Sequence, residues 1–245
     1  MKTADLDDPA VTNQRIETLQ KKKFLNRIYR EWYATIEAEL PAISGPVLEI
    51  GSGAGFLNEY IPDLITSDVM PVRGVQRVFD ACESLPEDCK ALRAVVMVNA
   101  FHHLPRSQRF LANVSTSLKS GGRLIMIEPW KTPWSTLIYR KLHHEPFEDT
   151  RTDWDFESSG PLSDANGALP WIVFERDRQR FDRLFPDLVL RKTSPLMPAS
   201  YLISGGYTGP SLLPAPLYPA CRTIEKWTGL DRLLGLFALI SIEKR

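Results

Sequence analysis

The sequence predicts an α/β fold: a doubly wound parallel sheet, covered by helices on both faces, in a single domain spanning residues 1–245. Three observations predict it. Short apolar, strand-like runs alternate with helix-length segments. A glycine-rich turn follows the first of those runs. The length of 245 residues and a hydrophobic content of 43% suffice for one sizeable core.

The elements follow in order. Residues up to about Val11 read as a frayed tail. Phe24, Leu25, Ile28, Trp32, Tyr33, Ile36 and Leu40 then recur at helical spacing, and Pro41 ends the pattern. Strand runs cover Val47–Ile50, Leu64–Ser67, Val75–Phe79, Ala94–Asn99 and Arg123–Ile127, with a helix at Arg106–Leu118 before the last. Leu188–Arg191 and Leu236–Ile242 read as two further strands. Between Trp130 and Phe185 lies a segment rich in Pro, Asp and aromatics that fits no regular period, expected as an insertion over the sheet edge.

Composition excludes several classes of partner. Thirty Lys and Arg balance thirty Asp and Glu, and no basic run exceeds Lys21–Lys23, so a nucleic-acid partner is not expected. The apolar stretch Leu236–Ile240 is far too short to span a bilayer, and Met1–Ala10 is acidic rather than a signal peptide. A cytoplasmic chain without a transmembrane segment is the expectation. Cys82, Cys89 and Cys221 form no C-x-x-C pair and read as reduced thiols.

The chemistry begins at V-L-E-I-G-S-G-A-G-F-L, Val47–Leu57. A strand ending at Ile50, then Gly51, Gly53 and Gly55, lets the backbone turn tightly and approach a ligand before a helix opens. Such a unit binds a nucleotide-like cofactor at the C-terminal edge of a doubly wound sheet. The third glycine is misplaced for a dinucleotide fingerprint and Glu49 sits inside the strand end, which disfavours NAD. Nineteen residues beyond Glu49, Asp68 ends the second strand, where its carboxylate can accept from ribose hydroxyls; capping a turn is the plainer alternative. Asp80 follows the third strand, within reach of an adenine amino group.

These residues belong to a longer series: E-I-G-S-G-A-G at Glu49–Gly55, Asp68, D-A-x-x-x-L-P at Asp80–Pro86, V-N-A-F-H-H-L-P at Val98–Pro105, and S-G-G-R-L-I-M-I-E-P at Ser120–Pro129. The series resembles the successive motifs of class I S-adenosylmethionine-dependent methyltransferases, in particular the small-molecule branch that includes ubiquinone and menaquinone methyltransferase-like enzymes. The resemblance implies a Rossmann-like, seven-stranded, mostly parallel sheet whose last strand is antiparallel, with an N-terminal helix and an inserted lid. It implies S-adenosylmethionine as cofactor and S-adenosylhomocysteine as product. Glu49 and the loop Gly51, Ser52, Gly53 and Gly55 would hold the methionine end, and Asp68 the ribose. Val69 and Ala81 would flank the adenine, Asp80 would meet its amino group, and the backbone at Asn99 the cofactor's amino group. The chain then divides into tail and helix (1–44), cofactor-binding core (45–130), lid and substrate region (131–185), and C-terminal strands and helix (186–245).

The four histidines occur only as His102-His103 and His143-His144. A neutral imidazole suits removal of a proton from an acceptor hydroxyl, so His102 or His103 is the candidate general base. Adjacent side chains on an extended segment point oppositely, so one of each pair is expected to face the site. No metal is expected, because neither pair has H-x-x-x-H or carboxylate spacing. A small organic acceptor, such as a phenol, quinone precursor, sugar or lipid-linked intermediate, would meet Trp130–Gly209, with Trp130, Trp134, Tyr139, Trp154, Phe156 and Trp171 as walls. His143, His144, Asn166 and Tyr33 are candidate acceptor contacts, with Tyr33, Tyr29 and Trp32 also able to offer a π-face to a cation. At Leu217–Leu234 an apolar helix face reads either as packing on the sheet or as contact with a lipid surface. A cofactor-binding protein without catalysis, serving as an interaction module, is the alternative to an enzyme.

Overall fold

The computed structural model describes residues 7–143, 145–160, 162 and 164–245. Seven strands form one sheet in the order β3-β2-β1-β4-β5-β7-β6. They are β1 Val47–Ile50, β2 Leu64–Asp68, β3 Arg77–Val78, β4 Leu92–Val98, β5 Leu118–Pro129, β6 Leu188–Leu196 and β7 Phe237–Lys244. β1 pairs in parallel with β2 and β4, and β7 runs antiparallel between β5 and β6. This is the expected Rossmann-like sheet with its reversed last strand. All four residues of β1, and Ala94–Met97 of β4, are buried, as strands covered on both faces must be. β3 is shorter than the run Val75–Phe79 suggests, because it is an exposed edge with a single neighbour.

Other expectations are corrected. The tail is ordered helix from Pro9: α1, Pro9–Lys21, has Asp8 as N-cap accepting from the Ala10 amide at 2.8 Å, and a proline in its first turn. α2, Lys23–Glu39, follows at once and turns Phe24, Leu25, Ile28, Tyr29, Trp32, Tyr33 and Ile36 inward. After the glycine loop only a short 3-10 turn forms, Leu57–Glu59. Pro62 has no amide for a continuing helix, and the chain must return for β2. The helix before β5 is α3, Ser107–Ser117. The aperiodic segment contains α4 Pro133–Leu142, a turn α5 Leu169–Trp171 running into the π-helical stretch Ile172–Arg176, and α6 Arg178–Leu184. Prolines and the change of helical pitch hide these pieces from a search for one period.

Beyond β6 come α7 Ser200–Ser204, α8 Tyr218–Trp227 and α9 Leu230–Leu234. The single helix read over Leu217–Leu234 is broken at Gly229, whose φ is 72°. Its apolar face is also turned the other way, since Ile224 and Trp227 are exposed while Arg222 and Glu225 are buried. Among the described residues no helix is long and apolar enough to cross a membrane, and the three cysteines are free.

The buried polar face of α8 clamps four helices. Arg222 lies 3.0 Å from Glu31 on α2 and 2.9 Å from Asp231 on α9, and pairs with Glu225. Glu225 in turn accepts from the Ala199 and Ser200 amides at 2.8 and 2.7 Å, at the start of α7. Removing the cation takes from three carboxylates the charge they share, leaving Glu31 with Lys226 at 2.8 Å and Glu225 with its amides. Arg222→Ala is expected to cost about 3–5 kcal/mol of stability, read from the denaturant midpoint; a loss below about 1 kcal/mol would show the cluster to be a surface pairing in energetic terms.

Candidate functional site

A cavity of about 670 Å³ opens at the C-terminal ends of β1, β2, β4 and β5. Strand order reverses between β1 and β4, and the crevice outside such a switch point is where open α/β sheets bind ligands. α1 and α2 cover one side through Thr12, Arg15, Tyr29 and Tyr33; the segment after α4 and the loop after α7 cover the other.

In the half over the glycine loop, the structure brings together Glu49, Gly51, Ser52, Gly53, Gly55, Asp68, Val69, Asp80, Ala81 and Asn99, all of which line the cavity. Gly51 has a φ of 70°, and a Cβ there would sit 2.7 Å from that of Ala100. A Cβ at Gly55 would come within 2.6 Å of the Tyr33 hydroxyl. These two positions need glycine for close approach, whereas Gly53 needs it for its φ of 48° and has open cavity beside it.

Asp68 ties the loop to β2, accepting from the Gly53 and Met70 amides at 3.0 Å each. The turn-capping role is therefore present, and a carboxylate oxygen has lone pairs beyond the one so used. Asp80 accepts from the Cys82 amide at 2.8 Å and pairs with Arg106 at 2.9 Å. Asn99 has a φ of 52°, and its buried Oδ1 has no hydrogen-bond partner. Burial pushes the Glu49 carboxyl up to about 7, with the Asp68 charge adding to it against the Ser52 hydroxyl bond. Burial raises Asp68 as well. Two buried carboxylates and an unpaired acceptor make this half a receptor for positive charge and N–H donors.

The other half is organised by Glu128, the penultimate residue of β5 and fully buried. One of its oxygens accepts from the Ala100 and Phe101 amides at 2.8 Å each; the other lies 2.7 Å from Nδ1 of His102. Both His102 and His103 line the cavity, correcting the expectation that they diverge. They sit in a 3-10 turn, Phe101–His103, where consecutive rings can lie side by side, and their centroids are 4.3 Å apart. Glu145 faces both, 3.5 Å from Nε2 of His102 and 3.8 Å from Nε2 of His103.

Burial alone would lower His102, but the bonds and charges of Glu128 and Glu145 hold it up at about 9. Burial and the neighbouring imidazolium push His103 down to about 3. For Glu145, burial is outweighed by His102, which holds its carboxyl well below the ordinary range. These opposite shifts favour the proton on His102 and leave His103 the more weakly basic of the two.

His143 and Tyr33 also line the cavity. Asn166 does not: its side chain accepts from the Glu148 and Ala168 amides at 2.9 and 3.1 Å and donates to the Glu148 carbonyl, locking the backbone of that segment. His144 lies outside the described residues. Of the six expected aromatic walls Tyr139 alone reaches the cavity; Trp154, for instance, is fully buried with its indole N–H on Asp177. Tyr29, Tyr201 and Tyr207 stand there instead, with Tyr29 and Tyr207 hydroxyls 2.8 Å apart. Trp32 stacks on Tyr201 in the core. Arg15, Glu128 and Glu145 are further residues of the site not singled out from the sequence; Glu128 stands in the motif Ser120–Pro129 and Glu145 directly after His143-His144, while Arg15 had no local signal.

The architecture is shared with solved methyltransferases. A Haloferax volcanii methyltransferase bound to its Trm112 activator is 13% identical with a TM-score of 0.55, over 97% of this chain and 95% of that one. Geranyl diphosphate C-methyltransferase from Streptomyces coelicolor A3(2), solved with Mg2+, geranyl-S-thiolodiphosphate and S-adenosyl-L-homocysteine, is 14% identical with a TM-score of 0.52, over 90% and 78%. No family model and no curated protein matches the chain. At such identities the likeness is one of fold.

The raised Glu49 carboxyl makes stability depend on pH. Folded, it keeps a proton that the unfolded chain releases near 4.5. Its contribution therefore falls as pH rises from about 4.5 to about 7, then levels off, by up to about 3 kcal/mol. Denaturant midpoints across that range should decline less steeply in Glu49→Gln than in the parent. Equal slopes would mean the carboxyl titrates normally.

Proposed function

We propose that the protein binds S-adenosylmethionine over the glycine loop and transfers its methyl group to a small organic acceptor in the histidine half of the cavity. The observation that carries this reading is the charge of the loop half: Glu49, Asp68 and the unpaired Oδ1 of Asn99 converge at the switch point, and the cofactor brings a sulfonium, an ammonium and ribose hydroxyls. When bound, it supplies a methyl on sulfonium sulfur, whose C–S bond breaks as the acceptor's lone pair attacks in line.

The chain's own residues have modest tasks. Ser52 and the Gly51–Gly55 backbone seat the methionine end, Asp68 accepts from ribose hydroxyls, and Val69 and Ala81 flank the base with Asp80 near its amino group. Tyr29 and Tyr33 exclude water and offer π-faces to the cation. Positioning the acceptor about 3 Å from the methyl supplies much of the rate. His102, held protonated, donates to an acceptor oxygen, while His103, too weakly basic to hold a proton at neutral pH, packs beside the acceptor, which reacts already ionised or as a carbon nucleophile. Tyr139, Tyr201 and Phe147 suit an aromatic acceptor such as a phenol or quinone precursor, which is the substrate class of the branch the motifs resemble.

Calorimetric titration with S-adenosylmethionine and S-adenosylhomocysteine tests the reading. One site per chain is expected. Gly53→Val, which strains the loop at its φ of 48° and puts a side chain into ligand space, should abolish binding while melting curves show the rest of the fold retained, and Asp68→Asn should weaken it tenfold or more. Unaltered affinity in both variants would remove the loop from the site. Binding without a methylated product across an acceptor screen would favour a non-catalytic module.

A further inference from the structure

His102, His103 and Glu145 each place one candidate ligand atom so that the three lie within 4.8 Å of one another on the cavity wall. We infer that these three residues form a binding site for a first-row transition-metal dication of the Zn2+, Co2+ or Fe2+ class. The chemistry of the set favours those ions over Mg2+ or Ca2+, which take oxygen ligands.

Each imidazole is oriented from behind. Nδ1 of His102 is held by Glu128 at 2.7 Å, and Nδ1 of His103 lies 3.4 Å from the Asp164 carbonyl. Both Nε2 atoms turn toward Glu145, at 3.5 and 3.8 Å from its two oxygens, and a bound ion would take the place of the Nε2 proton that His102 otherwise carries. A carboxylate or a backbone carbonyl on the remote nitrogen is how metal-ligating histidines are fixed. Bonds of about 2.1 Å to a shared ion need ligand separations of about 3.0–3.4 Å, so closing the site from separations of up to 4.8 Å takes side-chain shifts of about 1 Å. The buried Glu128 and the half-buried Glu145 also bring two carboxylates to two imidazoles, a charge balance that welcomes a cation.

Three protein ligands leave coordination positions open to the cavity. Those positions would hold an acceptor oxygen and lower its pKa, a role that rests on the methyl-transfer reading; the metal site itself does not. Sequence spacing points away from a metal because His102-His103 and Glu145 are separated by some forty residues, and α4 with its following turn closes that distance.

The protein, stripped with chelator, is titrated with Co2+ and followed by its d–d absorption, and the bound Co2+ is then displaced by Zn2+. One ion per chain is expected, with no thiolate charge-transfer band. His103→Ala and Glu145→Gln should each weaken binding at least 100-fold, and Glu128→Gln, a positioning change, 10- to 100-fold. Melting curves establish that each variant is folded, and Glu145→Asp should restore most of the affinity. Failure of the parent protein to bind either ion stoichiometrically, or unchanged binding in the folded His103→Ala and Glu145→Gln variants, would overturn the inference. Metal binding without S-adenosylmethionine binding would defeat the methyl-transfer reading and leave this one standing.

Discussion

Glu128 is the carboxylate on which the cavity's shape depends. It ends β5 inside the sheet, where an unpaired charge would be costly, and it is satisfied by two backbone amides and an imidazole donated by the turn after β4. That turn cannot drift, because moving it would expose three donors and bury a charge alone. Its position places Ala100 against Gly51, which fixes the glycine loop, and places His102 and His103 beside Glu145. One buried hydrogen-bonded acid thus couples the two halves of the site.

The halves have complementary electrostatics. Over the glycine loop, Glu49 and Asp68 lie close together with no ion pair to either among the described residues, so burial pushes them toward the neutral form and a positively charged ligand relieves them. In the histidine half the protein supplies its own positive charge, and His102 is shared between two acids. Folding tolerates the first arrangement because stability is built elsewhere: the doubly covered strands β1 and β4, and the Arg222 cluster that joins α2, α7, α8 and α9. Acids without ion-pair partners at the site, on a scaffold whose stability is built elsewhere, are what ligand binding requires.

How much of this is legible in the sequence follows from where each signal resides. β1 is read to the residue because the short run V-L-E-I, apolar but for Glu49, is bounded by Pro46 and Gly51. The glycine loop, Asp68 and Asp80 are legible because their spacing repeats a known series. α1 is not, since it buries only Thr12 and Leu19 and is held by partners distant in sequence, such as Asn13 on the Arg73 amide. Glu128 is visible as a letter in a motif but not as an organiser, because its partners lie on another strand. The aromatic walls were misassigned for a related reason: aromatic content marks a lid, yet Trp154 and Trp171 serve its packing while Tyr201 and Tyr207 come from beyond β6.

Amide hydrogen exchange in Glu128→Ala tests the central claim most directly. Ala100 and Phe101 should lose protection by about tenfold or more while the amides of β1 and β4 stay slow, since the opening is local. Unchanged protection at Ala100 and Phe101 in a folded variant would contradict the account, because the turn would then hold its shape without the carboxylate.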